Sequence, residues 1–127
     1  MTPSYRIGRC VPLAAVLLAA LAVAAPAHAG FGAIAYDENA GKEGMSWNQP
    51  SEAKANEEAL RQCGSDGCRV HPVSPKACGA LSRSDKDKAW GGAERATLKL
   101  AQRDAIGRCK THTETGTCVV KVSGCNK

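Results

Sequence analysis

A chain of 127 residues with 17 Lys+Arg, 12 Asp+Glu, two Trp, two Tyr and one Phe has room for one domain and little aromatic bulk to fill it. Its charges are interleaved, as in SRSDKDK (82–88), with no basic block and no run of stacking aromatics, which argues against a nucleic-acid partner. Seven cysteines in so short a chain point instead to covalent reinforcement.

The N-terminus reads as an address label. Arg6 and Arg9 precede the apolar run VPLAAVLLAALAVAA (11–25), and PAHA (26–29) sets Ala27 and Ala29 at the small-x-small spacing that signal peptidase cuts. The run is shorter than the roughly 20 residues a spanning helix needs. Residues 1–29 are therefore expected to be a signal peptide, leaving no stable membrane anchor after cleavage. Residues 30–127 are expected to form a single exported domain, periplasmic or extracellular. Without Arg6 and Arg9 the domain has 15 Lys+Arg against the same 12 Asp+Glu, a formal charge of +3.

That domain holds only 16 large apolar or aromatic residues, and the rest of its apolar tally is mostly alanine. Burying a large side chain stabilises by about 1.5–3 kcal/mol, whereas ordering each residue costs a comparable amount. A core this thin needs staples.

In chain order, GAIAY (32–36) is a short apolar run beside turn formers and reads as a strand. DENAGKEG (37–44) is a polar tip leading back through MSWNQ (45–49), which suggests a hairpin. Pro50 and the N-cap type Ser51 then open a helix over 51–63, with Ala55, Ala59 and Cys63 spaced by four on one face. Gly64 and Gly67 supply a stop and a turn, and CRVHPV (68–73) resumes as a strand that Pro72 confines to an edge or a bulge.

The same order then recurs. GALS (79–82) matches GAIA (32–35), Trp90 is aligned with Trp47, TLKLAQRDAIGRC (97–109) with SEAKANEEALRQC (51–63), and CVVKVSGC (118–125) with CRVHPVSPKAC (68–78). A period near 47 residues marks a duplicated supersecondary unit whose copies bury faces neither could bury alone. The predicted fold is α+β: a duplicated β-β-α-β unit (31–78 and 79–125) making one antiparallel sheet with two helices packed on it. A small closed barrel with helices outside is the alternative.

Once Cys10 leaves with the leader, six cysteines remain: Cys63, Cys68, Cys78, Cys109, Cys118 and Cys125. In an exported domain an even number reads as a disulfide framework. The rival zinc reading needs close-spaced ligand pairs converging on one ion, which Cys109-x8-Cys118 does not supply. Fifteen pairings are open. Local bridges Cys63–Cys68 and Cys109–Cys118 are the first expectation, because each joins a helix end to the next strand. Cys78–Cys125 is then left as a long link between the two halves.

GAIAYD near the mature N-terminus, a tryptophan strand, Ala55-x3-Ala59-Leu60-x2-Cys63 before a turn, Cys68-Arg69-Val70, and the junction Cys78-Gly79-Ala80-Leu81 resemble a family of small exported bacterial proteins. It is catalogued as domain of unknown function 4189. The resemblance covers nearly all of 31–125. It implies a secreted or periplasmic protein with a duplicated, disulfide-stabilised domain, and it brings no catalytic motif with it. The KTHTETGT insert between Cys109 and Cys118 departs from the pattern.

Chemistry is sparse. No nucleophile elbow, H-E-x-x-H or phosphate-binding loop occurs. No catalytic, cofactor-binding or metal-binding residue is assigned. His71 and His112 are the only histidines past the leader, and pairing His112 with Ser123 has no support in spacing. Glu57–Glu58 and Asp85/Asp87 read as solvated carboxylates. The candidate binding residues are Trp47, Trp90 and His112; the two tryptophans are read either as a core pair stacked across a pseudo-two-fold axis or as an exposed ligand-holding pair. Three functions fit: a non-enzymatic module engaging an envelope or extracellular protein through the hairpin tips and loop 110–117, a small hydrolase using His71 or His112 on an envelope polymer, and a structural envelope component. The first is the leading expectation.

Overall fold

The computed structural model of the chain describes residues 30–127. The signal peptide expected over 1–29 lies outside them. The described elements are strands β1 (Phe31–Asp37) and β2 (Lys42–Gln49), helix α1 (Glu52–Cys63) and strand β3 (Arg69–Val73), then β4 (Cys78–Ser84), β5 (Trp90–Arg95), helix α2 (Leu98–Lys110) and β6 (Cys118–Cys125). The β-β-α-β unit therefore occurs twice.

Local chemistry sets the element ends. Ser51 and Thr97 have extended backbones, and their side chains accept from the Lys54 and Leu100 amides at the helix starts. Gly64 ends α1 at φ +69°, a conformation that costs glycine little, and its amide donates to the Leu60 carbonyl. Pro72 lies on β3, an edge strand, where its missing N–H costs no ladder bond.

The single sheet expected from sequence is two. β1 is flanked by β2 and β3, and β4 by β5 and β6, so each unit closes its own antiparallel three-stranded sheet in the orders β2-β1-β3 and β5-β4-β6. The reason is visible along the central strands. In β1, Ala33 and Ala35 alternate with Ile34 and Tyr36, and all four are buried. The small face packs with Ala55, Ala59 and Cys63 of α1, while Ile34 and Tyr36 join Val73 and Leu81 in a cluster shared by both units. In β4, Ala80 packs on α2 and Leu81 enters the shared cluster. A strand covered on both faces with each flank already paired has only one way to bury its large face, which is against the other sheet. The layers run α1, first sheet, second sheet, α2.

The helices sit very close. A Cβ at Gly44 would fall on the Ala59 carbonyl and the Cys63 amide, and one at Gly91 on the Ala105 carbonyl and the Cys109 amide. Buried hydroxyls tether each helix as well: Ser46 Oγ donates to the Ala55 carbonyl (2.6 Å) and Ser82 Oγ to the Ala105 carbonyl (2.8 Å).

All three bridges form as Cys63–Cys68, Cys109–Cys118 and Cys78–Cys125. Despite the inserted loop, Cys109 and Cys118 lie 6.0 Å apart between Cα atoms, within ordinary disulfide reach. The long bridge corrects one expectation. Cys78 and Cys125 are register partners on β4 and β6, so their bond closes the second sheet and does not join the two halves. The halves are joined by the shared cluster and by Asn126, which is buried. Its Nδ2 donates to the Val73 and Ser74 carbonyls, and its Oδ1 accepts from the Asn48 amide (3.0 Å).

A second correction concerns the tryptophans. In register, Ala35 faces Gly44 and Ser82 faces Gly91, while Tyr36 faces Glu43 and Arg83 faces Trp90. Gly44 and Gly91 are the equivalent residues, so Trp90 occupies the position of Glu43 and Trp47 that of Glu94. Both indoles point between the sheets but at opposite ends of their strands.

Candidate functional site

Trp47 is packed away. Its ring fills a slot where a Cβ on Gly124 would lie 2.5 Å from its Cε2 and one on Gly79 3.3 Å from its Cη2. It stays in the fold as core, half-buried beneath the Asn126 clasp. Trp90 stands at the other end. Its ring centroid is 5.4 Å from that of Tyr36 and 5.5 Å from that of His71, both tilted, and its Nε1 donates to Glu38 Oε2 (3.0 Å). The two tryptophans therefore do not stack on each other; each reaches into the other unit.

The sandwich is closed on the β2/β6 side and splayed on the β3/β5 side. Between the edge strands β3 and β5 it leaves a cleft of about 660 Å³. Ile34, Val73, Leu81 and Trp90 give it an apolar floor continuous with the shared core. Polar groups arrive from six places: Glu38 and Lys88 from the two hairpin tips, His71 from β3, Glu94 from β5, Arg108 from α2 and His112 from the loop after it. That size and lining are what ligand pockets have.

The walls are held by named bonds. Arg108 Nη1 donates to the Gly92 carbonyl (2.6 Å) on the outer edge of β5. Glu94 Oε2 accepts from the Ser74 amide (3.2 Å), crossing from one unit to the other. Lys88 Nζ donates to Asn39 Oδ1 (3.3 Å), and Arg83 Nη1 to the Gly41 carbonyl (3.1 Å), so the two hairpin tips brace each other. Loop 110–117 is braced too, because Thr113 Oγ1 donates to Asp87 and the Thr117 amide to Asp85.

Partial desolvation lowers the pKa of His71 below its ordinary 6.5, with the Arg69 charge adding to the effect. Hydrogen bonds from Arg61 and Gln62 hold Glu58 down to about 2, and Asp37, Asp87 and Asp104 are lowered by bonds from Ser65, Thr113 and Arg103 respectively. The signs all run one way. The unfolded chain takes up these protons first, so stability falls as pH drops below 6.5 for the exposed His71, weakly, and again from the carboxylate range down towards about 2. Trp90 fluorescence should change with a midpoint below pH 6.5 and lose that change in His71→Gln. A midpoint at or above 6.5, or one that survives the substitution, contradicts this arrangement.

Of the candidate residues, then, Trp90 and His112 meet at the cleft with His71, and Trp47 lies elsewhere. Ser123 accepts from Gln102 Nε2 on the α2 face of the second sheet and is not brought to His112. Glu38, Lys88, Glu94 and Arg108 were not legible as a set, since they come from separate elements with no shared spacing. Only the alternation Trp90-Gly91-Gly92-Ala93-Glu94, which puts Trp90 and Glu94 on one face, carried a signal. Among the described residues no three His, Cys, Asp or Glu side chains converge to hold a metal, and all six cysteines there are oxidised to disulfides. No helix among them is long and apolar enough to cross a membrane. The three bridges indicate an oxidising environment.

Comparison with known proteins agrees with this architecture. A family model described as Domain of unknown function (DUF4189) matches residues 31–125. The Mycobacterium tuberculosis protein Rv1269c is 41% identical over 76 residues, 60% of this chain and 58% of the relative, and the Mycobacterium bovis protein Mb1300c matches to the same extent. The chain thus spans under three fifths of the length of these relatives. The uncharacterized M. tuberculosis protein Rv1813c is 33% identical over 78 residues, 61% of this chain and 52% of the relative. Its NMR structure superposes with a TM-score of 0.58 at 25% identity, covering 99% of this chain and 100% of that one.

Proposed function

We propose, for a chain that belongs to the DUF4189 family, that it is a small exported module that binds its ligand in the β3/β5 cleft and does not transform it. One observation carries the reading. Trp90, His71 and His112 arrive from three elements at a single open cleft with an apolar floor, on a frame stapled by three disulfides. A rigid frame loses little conformational freedom on binding, which suits recognition. The hairpin tips and loop 110–117, expected from sequence to engage a protein partner, are braced against their own neighbours, so the cleft is the better candidate surface for an envelope or extracellular partner. The test is an NMR screen of the labelled protein against small neutral saccharides, tripeptides and aromatic acids. Saturable shifts clustered on His71, Trp90 and His112 are the expected result. Shifts scattered over the helices, or none in any class, would overturn it.

A second reading has its own observation, because both histidines line the same cleft as Glu38 and Glu94. A small hydrolase acting on an envelope polymer would use such groups. Release of soluble product from that polymer, lost in the His71→Ala/His112→Ala double variant, would favour it over binding alone.

A further inference from the structure

The cleft also constrains what it can hold, and this step rests on the binding reading above. Its rim carries two cations, Lys88 and Arg108, and two carboxylates, Glu38 and Glu94. Each is bonded to a neutral group of the protein: Lys88 to an amide oxygen, Arg108 to a carbonyl, Glu38 to an indole N–H and Glu94 to a backbone amide. The rim therefore has no net charge yet presents donors and acceptors on both walls. Among the described residues the second oxygens of Glu38 and Glu94, and the ring nitrogens of His71 and His112, take no hydrogen bond.

An added peptide strand suits this edge poorly. The outward carbonyls of β5 that such a strand would need are capped, Gly92 by Arg108 and Glu94 by the Arg95 guanidinium (2.6 Å). A fatty chain would leave the charged rim unused. A ligand with a flat apolar face and a belt of hydroxyl groups satisfies both the floor and the rim: the face lies against Trp90, and the hydroxyls donate to the carboxylates and accept from Lys88 and Arg108. Gly92 puts no side chain beside the indole, where a Cβ would touch Trp90 at 3.5 Å and the Ala80 carbonyl at 3.8 Å.

We infer that the cleft is a subsite for one ring of a neutral saccharide, stacked on Trp90 and gripped by Glu38, Glu94 and Arg108. The test titrates the nitrogen-labelled full protein with maltotriose and with the N-acetylglucosamine trimer, following both indole N–H resonances. The expected result is a saturable shift of the Trp90 resonance while the Trp47 resonance stays fixed. Affinity should fall about tenfold in Trp90→Phe. Glu94→Gln, which keeps the indole, should also weaken binding and guards against misfolding of the tryptophan variant. No saturable shift at millimolar saccharide overturns the inference. If tripeptides move the Trp90 resonance where saccharides do not, the saccharide assignment falls and the binding module stands. If no class of probe moves it, both fall.

Discussion

Replacing Gly91 with alanine should lower the melting temperature by roughly 10–20 °C, while the same change at Gly107 should raise it by a few degrees. The two glycines lie on opposite sides of the α2 packing problem. At Gly91 the new methyl group would fall inside contact distance of the Ala105 carbonyl and the Cys109 amide. Those atoms belong to helix backbone, so relief requires moving α2 away from the second sheet. Ala101 and Ala105, both 0% exposed, and the buried bond from Ser82 to the Ala105 carbonyl would lose their fit together. Overpacking of this kind costs about 1–3 kcal/mol or more. Gly44 stands in the same relation to α1 and should behave alike. Gly107 has nothing within 4 Å of its added Cβ, and alanine stabilises an exposed helical position by about 0.5–1 kcal/mol over glycine. Equal effects at Gly91 and Gly107 in calorimetry would contradict the close helix approach.

Removing the Cys78–Cys125 bridge with serines should destabilise the protein more than removing either short one. In the chain-entropy model a loop of 47 residues contributes about 4 kcal/mol, against roughly 2–3 for separations of 5 and 9. Position adds to the effect. The bridge pins the start of β4 to the end of β6, beside the Asn126 side chain that fastens the first unit to the second. With typical domain stabilities of about 5–15 kcal/mol, losing it brings a core of alanines close to unfolding. Urea denaturation of the three double-serine variants should rank Cys78/Cys125 lowest in midpoint; a Cys63/Cys68 variant falling below it would reverse the ranking.

Much of this fold could be read in the sequence because its signals were local. Ser51, Thr97 and Gly64 act within a few residues of where they stand, and the cysteines recur beside the same helix ends. The division into two sheets was not read, although GAIAY alternates small and large residues and both faces of β1 are buried; a short apolar run reads as a strand without saying what covers each face. The tryptophan alignment misled because it matched a rare residue in place of the constrained one. Gly44 and Gly91 must be glycine to admit a helix, whereas the indoles only need a place between sheets. The cleft was invisible for a different reason. Its polar groups come from both units and both tips, and only the packing of β3 opposite β5 brings them together.

Covalent links stand in for a thin core in this fold, and thermal unfolding of the oxidised and fully reduced protein tests that directly. Reduction should lower the midpoint by tens of degrees or abolish the cooperative transition. Superimposable melting curves in the two states would show that alanine-on-glycine packing and the shared cluster suffice alone, and would contradict it.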